Sequence, residues 1–224
     1  MGFPTITGNY RNTDYDVSLT LHETGHGYQK LNASKLDKSY VVSSLLKYPT
    51  FDVAEMFSHA MELIGLDYVK LLFDDENYEK YKLSAYKNII TKLPYIALVV
   101  EFQETIYKEN LSGVDIRNKW LELAHKYAQD INNSGHINLD SGGYFYRQSH
   151  LFTDPFYYID YAISYFGAIA IYSQSHSNLD TFNSAASVAS YYPLKTILDK
   201  YAIPNPFDDK SLKSMSEMLQ KNLI

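Results

Sequence analysis

The residues best suited to chemistry lie close together near the start of the chain, in the string His22-Glu23-Thr24-Gly25-His26. On a helix, positions i and i+4 share a face, so both imidazoles can reach one metal ion. Glu23, beside the first histidine, is placed to take a proton from a water bound to that metal. Zinc held by two histidines needs a third protein ligand and keeps a fourth position open. No histidine follows His26 until His59, so the third ligand must come from another element. The stretch Asp52 to Glu62 offers Glu55, then Ser58 or His59, then Glu62, stacked on one face at three- and four-residue steps. Spacing alone leaves Glu55 and His59 both open as the third ligand.

Helices must carry these groups, and helical periodicity dominates from Asp16 onward. A first helix is expected from Asp14 or Asp16 through His26 to near Leu31, capped by Thr13, Asp14 or Asp16. Before it, Pro4 to Tyr10 alternates Thr and Ile and could form a short strand. Asn32 to Pro49 is mixed, with an apolar patch at Val41 to Leu46. Thr50 to Phe73 reads as a second helix beginning at Pro49 or Thr50. Glu76 to Thr91 and Pro94 to Glu109 read as a helix pair divided at Leu93-Pro94, and Val114 to Gln129 as an amphipathic helix. Asp130 to Gly143, rich in Asn, Ser, Gly and Asp, reads as a loop. Pro155 is expected to open a long apolar helix to about Ser173. Shorter helices are expected over Thr181 to Tyr191, Leu194 to Tyr201 and Asp209 to Asn222. There is no internal repeat. The expected fold is therefore all-α: one multi-helix domain over 1–224, with at most one or two short strands near the N-terminus.

Composition narrows the partners. With 46% hydrophobic and 21% charged residues, the 224-residue chain can bury a sizeable core. A net charge of -6 argues against a nucleic-acid partner, which needs a surplus of Lys and Arg. No apolar run approaches the roughly 20 residues that span a bilayer. The start, MGFPTITGNYRN, lacks a basic segment followed by an apolar one, so a cytoplasmic location is expected. With no cysteine, thiolate ligands and disulfides are excluded. The 22 tyrosines are either ordinary packing residues or the polar-tipped lining of a peptide cleft.

HETGHGYQ, followed by YPTFDVAEMFSHAMEL, resembles the oligoendopeptidase F branch of the thimet-oligopeptidase-like (M3) metallopeptidases. So does the segment Tyr146-Arg147-Gln148-Ser149-His150-Leu151-Phe152 with Pro155 to Ala162, which is similar to the family's RQ-x-H-x-F and PFYYIDYA stretches. Ile203-Pro204-Asn205-Pro206-Phe207-Asp208 also resembles the stretch before the family's last helix. The resemblance implies one zinc ion per chain, a zincin-type helical fold, Glu55 as third ligand within an ExxS pattern completed by Ser58, and Glu62 as a carboxylate orienting a ligand imidazole. It also implies that His150, Tyr158 and Tyr161 bind substrate and donate to the oxyanion. Tyr158 and Tyr161 share a helix face, from which Tyr157 points away.

The implied activity is zinc-dependent endopeptidase cleavage of short peptides. Family members carry an extensive helical region before the metal motif, so the chain is expected to correspond to the catalytic part without it. The alternative is a catalytically inert metal-binding helical fragment that needs its missing N-terminal half or a partner chain. Self-association through the surface left by that region is the partner expectation beyond the peptide itself. Cobalt fits the same ligands as zinc.

Overall fold

The computed structural model describes residues 4–36, 48–127, 135–175 and 179–221. Among them are α1 (Asp14–Leu36), α2 (Phe51–Val69), α3 (Asp75–Glu109), α4 (Gly113–Tyr127), α5 (His150–Thr153), α6 (Tyr158–Ser175), α7 (Asp180–Val188), α8 (Leu194–Lys200) and α9 (Asp209–Lys221). No strand occurs among the described residues, and the fold is all-α. Among the described residues, no helix is long and apolar enough to cross a membrane. The chain forms two compact units, one from residues 1–86 and 163–224 and one from residues 87–162.

In the first unit, α1 begins where the acidic side chain of Asp16 reaches back to the chain entering the helix. Its Oδ2 accepts from the backbone N–H of Thr13 at 3.0 Å and of Arg11 at 2.9 Å. This satisfies donors that a helix start would otherwise leave unpaired. Lys35 in the last turn complements the dipole. The helix continues past Leu31 because it is clasped on both sides. Tyr28 donates to Asn183 at 2.7 Å and stacks on Phe182 of α7. Gln29, buried, donates to Ser190.

The other side of α1 lies on α2, which starts at Thr50 in extended conformation and is buried almost all round. Val53, Met56, Phe57, Ala60, Leu63 and Leu66 fill the core, together with Ala168 to Tyr172 of α6. The two helices touch backbone to backbone at Gly25. A Cβ there would stand 2.5 Å from Ser58 Cα and 2.7 Å from the Phe57 carbonyl oxygen.

The second unit is built around Trp120. Phe102 of α3 meets it edge-on at 5.0 Å between centroids, and Phe145 packs on both. Leu98, Val99, Leu123 and Leu151 complete this core. A π-helical turn over Leu139–Gly143 leads into a 3-10 turn over Tyr144–Arg147. Gly142 has φ 85°, and a Cβ there would collide with the Arg117 carbonyl. Only glycine meets both requirements.

Several expectations are corrected. Pro4 to Tyr10 is not a strand: it lacks regular structure, having no neighbouring strand among the described residues to pair with. The pair expected on either side of Leu93-Pro94 is one continuous helix, α3, with Pro94 inside it and exposed. Proline costs a helix interior about 3 kcal/mol, and the buried residues on both sides, from Tyr86 and Ile89 to Ile96 and Phe102, offset that locally. The second helix stops at Val69, short of Phe73, in a turn where Leu71 and Leu72 donate back to Tyr68 and Val69 carbonyls. Pro155 does not open the long apolar helix. It precedes a turn in which Phe156 takes φ 65°, and α6 starts at Tyr158. The Gln103 side chain holds that turn, accepting from the Phe156 N–H at 3.1 Å. Part of the expected loop, Leu139–Gly143, is the π-helical turn. The patch at Val41 to Leu46 and residues 130–134 lie outside the described residues.

Gly25→Ala is expected to lower stability by about 1–3 kcal/mol, because the new methyl meets backbone that cannot move aside. Gly65→Ala should cost less, since its Cβ would meet only the end of the Leu21 side chain. Urea unfolding of both variants checks this; equal midpoints would contradict the close approach.

Candidate metal centre

α1 presents His22 and His26 one turn apart on the face that meets α2, and α2 presents Glu55, Ser58, His59 and Glu62 back toward them. The half-buried rings of His22 and His26 lie 4.9 Å apart and nearly perpendicular, so their nitrogens converge rather than stack. His22 Nε2 stands 3.3 Å from one Glu55 oxygen, and His26 Nε2 stands 3.8 Å from the other. Donor atoms of His22, His26 and Glu55 all lie within 4.8 Å of one another. Ligands around tetrahedral zinc, at about 2.0–2.1 Å from the ion, are separated by about 3.3–3.4 Å. The three groups are thus within a small adjustment of a metal site.

A second trio, His22, His59 and Glu62, also satisfies a 4.8 Å limit. Its distances suit a different purpose. One Glu62 oxygen lies 2.7 Å from His22 Nδ1 and 3.0 Å from His59 Nδ1, which is hydrogen-bond contact. The Glu62 carboxylate accepts, so each Nδ1 carries the proton. That directs His22 Nε2 toward Glu55 and His26, where it offers a lone pair once its own proton is released. A carboxylate fixing a ligand imidazole in this way is the usual support of a metal-binding histidine. His59 also stacks on Tyr165 of α6, with centroids 3.8 Å apart and planes 18° from parallel. The sequence left His59 as an alternative ligand; its 4.0 Å separation from Glu55 and its bond to Glu62 make it a ring that holds Glu62. Sequence reasoning did not single out Tyr165.

Ser58, fully buried, donates to the Glu55 backbone carbonyl at 2.9 Å and lies 3.3 Å from its carboxylate. Its hydroxyl thus sits beside the base of the Glu55 side chain. Glu23 is half-buried and near enough to His26 for its charge to act on that ring.

The charges form one balanced group. Burial would raise the Glu55 and Glu62 carboxyls, but hydrogen bonds and charge from the imidazoles hold both at about 2. Burial would lower His22, but its bonds to Glu55 and Glu62 lift it to about 9. Burial keeps His26 and His59 below the usual histidine range, hence neutral. At neutral pH two carboxylates face one imidazolium, leaving one negative charge in excess in a largely buried place. Exchanging the His22 proton for a divalent cation neutralises these five side chains. Burying uncompensated charge is costly, so the donor set fits a divalent metal on charge as well as distance.

Three other sequence candidates, His150, Tyr158 and Tyr161, belong to the second unit. The His150 ring meets Tyr158 at 5.3 Å and Tyr161 at 6.0 Å between centroids, both edge-on. Tyr157, expected to point elsewhere, stacks on His150 instead, at 5.5 Å and 14°. Gln148 accepts from Tyr158 and Tyr95 at 3.1 Å each. Neither Gln148 nor Tyr95 was a sequence candidate. The RQ-x-H spacing could have pointed to Gln148.

Two outcomes follow for the metal centre. Glu62→Ala should weaken zinc affinity about 10- to 100-fold by freeing the His22 ring, read by competition with a chromogenic chelator; unchanged affinity would contradict the orienting role. Zinc uptake at neutral pH should release about one proton from His22, so that apparent affinity falls about tenfold per pH unit below about 9. Calorimetry in buffers of different ionisation enthalpy measures that proton; no buffer dependence would contradict it.

Comparison with known proteins places these features in a family. No curated protein matches the chain. Among solved structures, PZ peptidase A bound to an inhibitor is similar at 26% identity and TM-score 0.85, over 96% of this chain and 38% of that one. An oligoendopeptidase F structure matches at 24% identity and TM-score 0.85, with the same coverage. Another, from Bacillus anthracis str. Ames, matches at 22% and 0.75, over 96% and 35%. The last two bear on the fold alone, and the chain spans little more than a third of the length of each. Residues 2–192 match the model of peptidase family M3, and the chain belongs to that family.

Proposed function

We propose that the chain is the single catalytic domain of a zinc-dependent endopeptidase that hydrolyses short peptides. His22, His26 and Glu55 are the metal ligands, and Glu23 is the general base. The observation that carries this reading is the convergence of the His22, His26 and Glu55 donor atoms, with Glu62 setting the free nitrogen of His22 toward the other two. Family membership supports a peptide as substrate.

A divalent metal at these ligands supplies a Lewis acid that polarises the peptide carbonyl and acidifies water. Glu23, adjoining His22 on the same helix, takes a proton from the attacking water. It delivers that proton to the amine nitrogen as the peptide C–N bond breaks. Tyr161, or Tyr158 by turning its O–H from Gln148, donates its phenol O–H to the carbonyl oxygen as negative charge develops there, a contribution worth several kcal/mol in such sites. His150 helps hold the substrate. For these three residues, the support is the resemblance of their segment to the family's.

A second reading is an inert metal-binding helical module that needs a further region or a partner chain. What favours it is the adjacent pair of exposed apolar side chains Leu71 and Leu72, which would support self-association.

Internally quenched short peptides, with stoichiometric zinc and a chelated control, separate the two. Zinc-dependent cleavage supports the enzyme, and absence of cleavage with zinc bound supports the module. Glu23→Gln should retain zinc and lose about 10²–10⁴-fold in kcat. His26→Ala should lose zinc itself. Undiminished turnover in a clean Glu23→Gln preparation would remove Glu23 as base.

A further inference from the structure

The second unit contains a polar chain that has no part in the metal centre. Gln148 connects three rings: its Oε1 is 3.1 Å from the hydroxyls of both Tyr95 and Tyr158, and its Nε2 is 2.8 Å from His150 Nδ1. The two ends of the amide differ in what they can do, so its orientation determines what His150 becomes.

The tyrosines fix that orientation. Tyr158 is buried and Tyr95 half-buried. Burial keeps both phenols protonated, raising Tyr158 to about 12 and shifting Tyr95 upward as well. Each therefore has one O–H to give, and the Gln148 oxygen is the acceptor both share. Turned the other way, the amide would aim its NH2 at two hydroxyls and leave both phenolic protons without that acceptor, which is costly for a buried donor. With the oxygen held by the phenols, the NH2 must face His150. An N–H donor facing Nδ1 requires a lone pair there, so the ring proton sits on Nε2. His150 packs among Tyr157, Tyr158 and Tyr161, which hold the ring plane while Gln148 sets its tautomer.

We propose that Gln148 is a positioning residue: oriented by Tyr95 and Tyr158, it holds His150 as the Nε2–H tautomer and so makes it a hydrogen-bond donor to an oxygen acceptor of the peptide. The kinetic consequence rests on the reading of His150 as a substrate-binding group; the tautomer does not. A neutral donor suits a carbonyl oxygen, which offers only lone pairs.

The test is nitrogen-15 NMR of histidine side chains in the full zinc-loaded chain, at about pH 8, above the usual histidine range. The His150 signals are assigned by their loss in His150→Phe. In the unaltered chain His150 should be the Nε2–H tautomer, favoured about tenfold by one hydrogen bond. Because free imidazole side chains already lean that way, Gln148→Glu is the sharper reading. It keeps the acceptor for both tyrosines but places a carboxylate against Nδ1, so the ring should become Nδ1–H or doubly protonated. Tyr95→Phe combined with Tyr158→Phe, which leaves Gln148 and His150 in place, should give a mixture of tautomers. An Nδ1–H ring in the unaltered chain, or an unchanged tautomer in Gln148→Glu, would overturn the proposal. Peptide hydrolysis is read on the same samples, where Gln148→Glu should lower kcat about tenfold or more. If the tautomer reverses while hydrolysis stays constant, the positioning role stands and the assignment of His150 to substrate binding falls.

Discussion

How closely α1 approaches α2 sets the chemistry of the first unit. At Gly25 the two backbones come near enough that even a methyl group would overlap Ser58 and Phe57. Gly25 lies between the two histidines in sequence, and Ser58 lies one helical turn beyond Glu55. The closest approach is therefore also the place where the imidazoles of one helix meet the carboxylate of the other. A wider crossing would leave His22 and His26 on one wall and Glu55 on another, too far apart for a single ion with bonds of about 2 Å. The surrounding core, from Val53 and Met56 to Ala168 and Ile171, keeps the crossing tight.

Around that crossing the polar groups depend on one another. Glu62 alone would be a costly buried anion, as would Glu55. Each is kept ionised by neighbouring imidazoles, and His22 is held between them. His59 contributes by securing Glu62 from within α2 and by lying flat on Tyr165. This is the helix on which the sequence stacks Glu, Ser and His along one face, and the fold buries it almost all round. A buried stripe of that kind conflicts with core formation unless it meets a charge, and its donor set is one that a divalent cation would complete.

The second unit repeats the principle with neutral groups. Gln148 there stands where Glu62 stands in the first: one side chain whose hydrogen bonds determine which nitrogen of a histidine is available. The difference is electrical. A carboxylate forces the proton onto Nδ1 and frees Nε2 as a ligand. An amide held by two phenols does the reverse and leaves Nε2 as a donor. The strained Phe156 turn, secured by Gln103, starts α6 at the residue that bonds Gln148. A non-glycine residue at positive φ persists only where its surroundings over-determine it.

Much of this was legible in the residues alone. The i, i+4 histidines, the glutamate between them and the polar stripe from Glu55 to Glu62 depend on helical periodicity, which is a local property. So does the all-α class, because an apolar repeat near 3.6 needs no distant partner to be read. The misreadings occurred where a local preference met a tertiary demand. Proline usually ends a helix, yet Pro94 lies inside α3 because buried residues on both sides hold the helix together. Proline favours a first helical turn, yet Pro155 precedes a turn that Gln103 pins from 53 positions away. The choice between Glu55 and His59 could not be made from spacing, since both lie on the same stripe. The proposal of Glu55 rests on distances between atoms of different helices: 3.3 Å and 3.8 Å from Glu55 to the α1 imidazoles, against a hydrogen bond from His59 to Glu62. Gln148 drew attention in the sequence only as part of a motif, because its effect depends on Tyr95, which reaches it only in the folded unit. Residue types and their periods thus determined which chemistry was available; the close packing of α1 on α2 and the shared acceptor at Gln148 decided which atoms could take part, because both depend on contacts between residues far apart in the chain.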